Sequence, residues 1–218
     1  MSGQAKALIF DLDGVVVFTD TYHYLGWKKL ADENGWSFDE EFNNNLRGVS
    51  RMKSLELMLE HNGLDLPEDE KNRLADRKNE YYKELLQRIN ESDLYPGAVG
   101  FVKKVRERGL KTALASSSKN AQAVLVALDL EPLFDAVVTG NDITLSKPDP
   151  EIFLLAAKKL GMKPEDCVVF EDAGSGVEAA HRAGMRAVGV GPVETVGAAE
   201  IVMQDYADLD LENVLSGA

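Results

Sequence analysis

The chain has 218 residues, of which 44% are hydrophobic and 28% charged, and its formal net charge is −13. This length allows one large domain or two small ones, and the composition is that of a soluble globular protein. The negative charge argues against a nucleic-acid partner, and no apolar run approaches the length of about 18 residues that a membrane span needs. The single Cys167 excludes an internal disulfide, and the start of the chain lacks a signal-peptide core, so we expect a cytoplasmic protein.

The first predicted element is a strand at residues 7–10, an unbroken apolar run of the kind that a buried parallel strand makes. It leads directly to Asp11 and Asp13. Alternation along an extended chain points both carboxylates the same way and turns Leu12 toward the core. Two like charges so close are costly unless they share a cation, so Mg²⁺ is the natural partner. One carboxylate can then be a nucleophile and the other a proton shuttle, whereas the plainer alternative is a strand end with two solvated acids.

Residues 22–90 carry no strand pattern and predict a block of helices instead. Ser50 is a candidate cap for the third of these helices, and in the fourth an apolar stripe recurs at helical spacing. The stripe consists of Leu74, Tyr81, Leu85 and Ile89. The predicted helices are 22–34, 39–46, 51–61 and 68–89. Such a block after the first strand indicates a small helical domain inserted into an α/β core, with a cleft between them.

Four further apolar runs predict strands two to five, with helices between them. The runs are residues 112–115, 136–139, 167–170 and 187–190. Alternating strands and helices of this length imply a parallel sheet that is covered on both faces. We therefore expect a core made of residues 1–16 and 92–218 and a helical cap made of residues 17–91.

Three more groups of polar residues fall where predicted strands end. Ser116 opens the turn after the second strand, where hydroxyls and a helix start suit a phosphate, although serines at such junctions are usually caps. Lys147 lies on a stiff proline-flanked loop, and its plainer alternative is a solvated surface lysine. Glu171 and Asp172 follow the fourth strand and offer the hard oxygen ligands that Mg²⁺ prefers. With the first pair of aspartates, four groups in order along one sheet edge indicate a single site.

These four groups match, in order, the four motifs of the haloacid dehalogenase superfamily of phosphotransferases, which the chain resembles over essentially its whole length. The resemblance implies a doubly wound, Rossmann-like α/β sheet with strand order 3-2-1-4-5 and an inserted all-helical cap. It implies that Asp11 attacks phosphorus and that Asp13 is the general acid or base. Ser116 and Lys147 would hold the transferring phosphoryl group, and Mg²⁺ would be the cofactor. The implied metal ligands are Asp11, the backbone carbonyl of Asp13, Asp172 and, in a supporting place, Glu171.

Within the superfamily, the predicted cap resembles that of the β-phosphoglucomutases. The loop at residues 46–51 is similar to their substrate-binding loop, in which the equivalent of Arg51 binds the phosphate that is not transferred. The implied substrate-binding residues are His23, Trp27, Gly48, Val49, Ser50, Arg51, Lys78, Ser118, Lys119 and Asn120. Plainer alternatives stay open: Arg51 as a helix-surface charge, Trp27 as part of the cap core, and His23 as a capping or core histidine.

One position departs from the superfamily pattern. Where its members usually carry Asp-Thr just after the first motif, this chain has Phe18 and Thr19, and Asp20 follows. The missing carboxylate concerns the hinge or the support of the catalytic loop, so we expect it to affect cap closure and rate and not the type of reaction.

The expected function is the interconversion of β-D-glucose 1-phosphate and glucose 6-phosphate by a monomer. A mutase must bind a bisphosphorylated sugar in two orientations, so it needs two phosphate sites, and Arg51 and Lys119 supply cations beyond those that the transferring group requires. Other sugar 1-phosphates remain open as substrates. Two other functions also remain open: a Mg²⁺-dependent phosphatase of small sugar phosphates with the same nucleophile, and a non-catalytic phospho-sugar sensor.

Overall fold

A computed structural model of the protein shows a six-stranded parallel sheet and describes residues 4–46 and 49–217. The strands are β1 (Ala7–Phe10), β2 (Lys111–Ala115), β3 (Ala136–Val138), β4 (Cys167–Glu171), β5 (Arg186–Val190) and β6 (Ile201–Met203). Their order is β3-β2-β1-β4-β5-β6, and each neighbouring pair is parallel. The five predicted strands and their order are confirmed, with ends that agree within one residue.

Helices connect the strands and cover both faces of the sheet. They are α1 (Asp20–Asn34), α2 (Glu40–Asn43), α3 (Arg51–His61), α4 (Glu68–Leu86), α5 (Ala98–Glu107), α6 (Ala121–Ala127), α7 (Glu151–Leu160), α8 (Gly174–Arg182), α9 (Val193–Val196) and α10 (Leu211–Ser216). In β1, Leu8 and Phe10 join one hydrophobic cluster with α5, α6 and α10, whereas Ala7 and Ile9 join another with α7 and α8. Burial on both faces explains the unbroken apolar run of this strand. In the part of the chain that the structure describes, no helix has the length and apolar character to cross a membrane.

The strand that sequence reasoning missed is β6, at the edge of the sheet. Its three residues, of which the first two are half-buried and the third is buried, give too short a pattern to stand out from the neighbouring loops. In the helical block, the predicted helix at 39–46 is wrong in extent: α2 is a single turn, and a 3₁₀ turn at Asn44–Leu46 follows it. Helix α1 begins at Asp20 and not at residue 22.

The predicted apolar stripe of α4 is wrong at its C-terminal end. Tyr82 and Leu86 are buried there, whereas Tyr81 and Leu85 are only partly covered. The reason is that this end of α4 packs into the same hydrophobic cluster as the sheet, while its N-terminal half packs within the helical block. The buried face of α4 therefore turns toward the sheet and carries a lysine, Lys78, with it.

Two linkers run side by side between the sheet and the helical block. The N–H of Phe18 donates to the carbonyl of Asp93 at 2.7 Å, and the N–H of Tyr95 donates to the carbonyl of Val16 at 2.8 Å. Helices α1, α3 and α4 enclose a hydrophobic cluster of their own, which includes Trp27. The sequence-based domain boundaries at 16/17 and 91/92 stay a prediction.

Candidate active site

The carboxyl ends of the strands and the helical block together form a cleft of about 480 Å³. The predicted site residues that line it are Asp11, Asp13, His23, Trp27, Val49, Ser50, Arg51, Lys78, Ser118, Lys119, Asn120, Lys147, Glu171 and Asp172. Ser116 is fully buried, and its neighbour Ser117 lines the cleft instead. Gly48 lies outside the described residues.

Asp11 and Lys147 form the centre of the sheet side of the cleft. The ammonium nitrogen of Lys147 lies 2.5 Å from a carboxylate oxygen of Asp11 and also donates to Glu171, and all three side chains are buried. Burial by itself disfavours the charged ammonium, yet the carboxylates of Asp11 and Glu171 raise the pKa of Lys147 above its usual value. Lys147 is thus a fixed cation, beside which an anionic group can approach the Asp11 carboxylate with less repulsion.

Asp13 occupies a different electrostatic setting. Burial and then the charge of Asp11 raise the pKa of Asp13 to about 7. Its carboxylate accepts hydrogen bonds from the hydroxyl of Thr19 and, at 3.4 Å, from that of Ser116. Leu12, between the two aspartates, is fully buried, as the alternation predicts. A carboxyl group that titrates near neutrality can both give and take a proton.

Two glycines make room for the acids that follow β4. A side chain at Gly14 would collide with the carboxylate of Asp172, and one at Gly176 would collide with that of Glu171. Glu171 also accepts the backbone N–H of Ala173 at 3.1 Å, and burial raises its pKa to about 7. Asp172 therefore packs directly against the turn that carries the first two aspartates.

The acids of the cleft offer hard oxygen donors without forming a closed cage of side chains. Among residues 4–46 and 49–217, no three His, Cys, Asp or Glu side chains form a group that could hold a metal on their own. Lys147 donates to both Asp11 and Glu171, and the carboxylates of Asp11, Glu171 and Asp172 all line the cleft. Mg²⁺ typically takes one or two carboxylates and completes its shell with other oxygens, such as those of water and phosphate. This donor set fits that ion.

A second group of titratable residues lies on the helical side of the cleft. The ammonium of Lys78 lies 2.9 Å from Nδ1 of His23, whose Nε2 is 4.0 Å from Asp13. The His23 ring stacks on Tyr82 with the ring centroids 4.1 Å apart. Burial and the charges of Lys78 and Arg51 hold the pKa of His23 well below its usual value. Burial and Arg51 also lower the pKa of Lys78 to about 7.

Arg51 begins α3, which Ser50 caps as predicted. The guanidinium of Arg51 lies 3.8 Å from the carboxylate of Asp76 and faces the cleft, and partial burial lowers its pKa. Trp27 is both part of the block's hydrophobic cluster and a wall of the cleft, with its ring 4.8 Å from the ammonium of Lys78. Trp27 can therefore be both a core residue of the helical block and a wall of the binding cleft.

The turn after β2 is held in shape by its own hydroxyls. The N–H of Ser118 donates to Oγ of Ser116 at 3.1 Å, and the N–H of Asn120 donates to Oγ of Ser118 at 3.2 Å. Lys119 is exposed and lines the cleft. The side chain of Asn120 reaches across to Asn79 on α4, where its Nδ2 donates to Oδ1 at 2.8 Å.

Sequence reasoning did not single out Thr19, Asp76 or Asn79 as site residues. Thr19 immediately precedes α1, where a threonine usually caps a helix, and its contact with Asp13 instead depends on how the linker folds back. Asp76 contacts Arg51 on α3 and Asn79 contacts Asn120 after β2, and the spacing of residues within α4 cannot show such contacts. The signal that was available is their position on the same helix as Lys78.

An α/β core with an inserted helical block and acids at the ends of β1 and β4 defines a known class of protein. The sequence model of the haloacid dehalogenase-like hydrolases matches residues 5–184, and the chain belongs to this family. The predicted family is confirmed.

Individual relatives narrow the class. The chain is 41% identical over 209 residues to a β-phosphoglucomutase of Bacillus subtilis (strain 168), which covers 95% of this chain and 92% of that protein. It is 35% identical to a phosphorylated carbohydrates phosphatase of Thermotoga maritima, over 84% of this chain and 83% of that protein. A crystal structure of β-phosphoglucomutase from Clostridium difficile matches with a TM-score of 0.92 and 39% identity, over 98% of this chain and 96% of that one. The chain is therefore a phosphotransferring enzyme, which sets aside the alternative of a non-catalytic sensor.

Proposed function

We propose that this enzyme is a phosphomutase that interconverts β-D-glucose 1-phosphate and glucose 6-phosphate. The observation that carries the proposal is that cations line the cleft at two places held by different elements. Lys147 is bonded to Asp11 on the sheet side, whereas Arg51 comes from α3 and Lys119 from the turn after β2. A phosphatase of monophosphates needs only the first place, while a bisphosphate must be bound at both ends. The similarity to the β-phosphoglucomutases of Bacillus subtilis and Clostridium difficile supports the same proposal.

In the proposed reaction, Asp11 carries a phosphoryl group. The 6-hydroxyl of β-glucose 1-phosphate loses its proton to Asp13 while its oxygen attacks phosphorus, and the bond between phosphorus and Asp11 breaks. The β-glucose 1,6-bisphosphate so formed rebinds in the opposite orientation. Asp11 then attacks the phosphorus at C1, the bond from phosphorus to the C1 oxygen breaks, and Asp13 returns its proton to that oxygen. Glucose 6-phosphate leaves, and the enzyme is phosphorylated again.

Lys147 is the residue that we assign to the oxygens of the transferring phosphoryl group. Ser116, being buried beneath the cleft, would act mainly on Asp13 and on the backbone of Ser118. Mg²⁺ would be held by Asp11, by the backbone carbonyl of Asp13 and by Asp172. Glu171 would support the ion indirectly, because it fixes Lys147. When bound, the ion offsets the negative charge that otherwise keeps a carboxylate away from a phosphate.

The helical block, residues 17–91, would serve as a cap over the core formed by residues 1–16 and 92–218. His23 and Lys78 would link the position of the cap to the acid/base group Asp13, and Trp27 would line the sugar pocket. Val49 and Ser50 would line it beside Arg51. Closure of such a cap excludes water, which protects an aspartyl phosphate from hydrolysis long enough for a second sugar to accept the group.

A phosphatase of small sugar phosphates is the second candidate, and the relative named phosphorylated carbohydrates phosphatase favours it. Both candidates share the same nucleophile, so they differ in what accepts the phosphoryl group: a sugar hydroxyl in the mutase and water in the phosphatase.

The test is to supply β-glucose 1-phosphate with Mg²⁺ and a trace of β-glucose 1,6-bisphosphate and to measure glucose 6-phosphate and inorganic phosphate in the same sample. A mutase forms glucose 6-phosphate in large excess over phosphate. Arg51→Ala should raise the KM at least about tenfold and shift the products toward phosphate, because a charge-assisted contact to a phosphate is lost. The matched control is Lys53→Ala, an exposed cation on the same helix. Unchanged mutase kinetics in Arg51→Ala would contradict the two-phosphate argument.

A further inference from the structure

The side chains of Asn79 and Asn120 join the helical block to the core across the cleft. Nδ2 of Asn120 donates to Oδ1 of Asn79 at 2.8 Å, although the two residues are 41 positions apart in the sequence. Asn79 lies on α4, and Asn120 lies at the start of α6, and both line the cleft. A short side-chain hydrogen bond between two separate parts of the chain, at the cleft wall, is not required by either helix.

Asn120 is placed for a role other than capping. It occupies the N-cap position of α6, but its side chain makes no capping hydrogen bond, and its backbone N–H is already satisfied by Ser118. The carboxamide is therefore directed away from its own helix. An amide nitrogen has two hydrogens. Because one is donated to Asn79, the plane of the carboxamide is fixed, and the second hydrogen has a set direction.

Lys78, the residue before Asn79 on α4, contacts a group near the catalytic aspartates. Lys78 reaches His23, which lies beside Asp13. Since Lys78 and Asn79 are consecutive residues of one helix, they move together. One turn of α4 is thus in contact both with the group that neighbours the acid/base aspartate and with the turn that carries Lys119 and Asn120.

We propose that Asn79 is a positioning residue: by holding the carboxamide of Asn120, it prepares the site for the phosphate that is not transferred, and only when the cap lies against the core. This inference rests on the proposed mutase function. Its consequence is that cap closure and binding of the second phosphate favour each other, because each orders the same amide. A sugar with a single phosphate at the Asp11 end would gain nothing from this arrangement.

The test is a double-mutant cycle of Asn79→Ala and Asn120→Ala, with mutase kinetics on β-glucose 1-phosphate in the presence of Mg²⁺ and β-glucose 1,6-bisphosphate. We expect Asn79→Ala to raise the KM about tenfold, to change kcat less than about twofold, and to leave the thermal midpoint nearly unchanged, since a half-buried neutral hydrogen bond contributes little to stability. The double variant should be no worse than Asn120→Ala alone. Asn213→Ala, at an exposed position of α10, is the matched control.

Additive effects in the cycle, or an unchanged KM in Asn79→Ala, would overturn the inference. If Asn79→Ala does not fold, Asn79→Ser takes its place, because serine keeps a polar helix surface but is too short to reach Asn120. Inorganic phosphate and glucose 6-phosphate are measured together, so the two ideas can fail separately. A native enzyme that forms no glucose 6-phosphate overturns the proposed function and this inference with it, whereas a native mutase with an indifferent Asn79 overturns this inference alone.

Discussion

The two walls of the cleft each bury a lysine, but the surroundings shift the pKa values of these two lysines in opposite directions. On the sheet side, the buried cation Lys147 lies between two carboxylates, Asp11 and Glu171, which raise its pKa. On the helical side, the buried Lys78 has a neutral His23 as its contact and a second cation, Arg51, nearby, and its pKa falls to about 7. On the sheet side, Lys147 therefore has its counter-ions within the protein. Among the described residues, no carboxylate lies within ion-pair distance of Lys78, whereas Arg51 has Asp76 at 3.8 Å.

This difference indicates where the counter-ion of each buried lysine comes from: the protein supplies it for Lys147, and we expect a ligand to supply it for Lys78. A buried cation without a counter-ion destabilises the folded state, so it persists where something else provides the missing negative charge. A phosphate on the sugar would do so. The comparison therefore favours a substrate that brings an anion to the cap, in addition to the one that reacts at Asp11.

The sheet side depends on one nucleophile, and its removal should have the largest effect. Asp11→Asn keeps the shape of the side chain and a hydrogen-bond acceptor for Lys147, but the amide cannot form an acyl phosphate. We expect turnover to fall by about a thousandfold or more. Intact mass after incubation with an acyl-phosphate donor should show phosphorylation of the native enzyme only. A phosphorylated Asp11→Asn protein would show that the carrier is a different residue.

Lys147→Met tests the claim that Lys147 and the two carboxylates beside it compensate each other. The substitution leaves Asp11 and Glu171 buried and facing each other, so we expect the free energy of unfolding to fall by about 3–5 kcal/mol. The loss should be smaller at pH 5 than at pH 8, because Glu171, whose pKa is already raised by burial, takes up a proton and removes one charge. Urea titrations at both pH values, with a chelator present, measure it.

Lys159→Met is the matched control for this experiment. Lys159 pairs with Asp142 at 3.1 Å near the surface, with 37% of its side chain exposed. Such a pair contributes less than about 1 kcal/mol. If both variants lost the same small amount, Lys147 would not be the central counter-ion of the site.

Lys78→Met tests the opposite claim on the helical side. The folded state holds the pKa of Lys78 at about 7, below the usual 10.5, so the protonated lysine destabilises the fold below pH 7 and this effect fades as the pH rises from 7 to 10.5. The variant should therefore be more stable than the native enzyme at pH 6, by on the order of 2 kcal/mol, and should lose this advantage toward pH 10. Lys83→Met, an exposed position on the same helix, should show no such pH dependence.

A ligand measurement makes the same comparison without unfolding the protein. If the substrate supplies the missing anion, binding of glucose 6-phosphate at pH 8 should raise the pKa of Lys78 and take up protons. Calorimetric titrations in two buffers of different ionisation enthalpy report this uptake. Equal proton uptake by the native enzyme and Lys78→Met would contradict the proposal that the substrate supplies the counter-ion of Lys78.

The sheet side was open to prediction from the sequence, and the reason is topological. Parallel strands end at one edge, so apolar runs followed by acids, serine and lysine had to meet there, as Asp11 and Lys147 do. The burial of Ser116 was not predictable, because it depends on how tightly its turn packs. On the helical side, the roles of His23 and Lys78 came from resemblance alone. His23 and Lys78 lie on two different helices of the cap, and the periodicity within one helix cannot show a contact between helices. The one-residue error in the predicted stripe of α4 has the same cause, because packing against the sheet decides which face is buried.

The smallest effect is expected at the hinge that joins the two walls. Phe18 stands where the superfamily pattern has an aspartate, and its ring stacks on Tyr95 of the other linker with centroids 4.6 Å apart. Because 44% of Phe18 is exposed, Phe18→Ala should lower the free energy of unfolding by less than about 1 kcal/mol. If the stack restrains the cap, the same change should raise the share of inorganic phosphate among the products, since a looser cap admits water to the phosphorylated enzyme.

Leu25→Ala separates this hinge effect from a general loss of apolar surface. Leu25 is 42% exposed on α1 and lies outside the cleft lining and the cap's hydrophobic cluster. It should alter neither the product ratio nor the KM. A product ratio that Phe18→Ala leaves unchanged would mean that the backbone hydrogen bonds between the linkers restrain the cap by themselves. The aromatic pair would then be a consequence of the linker path and would have no part in bringing the two walls together.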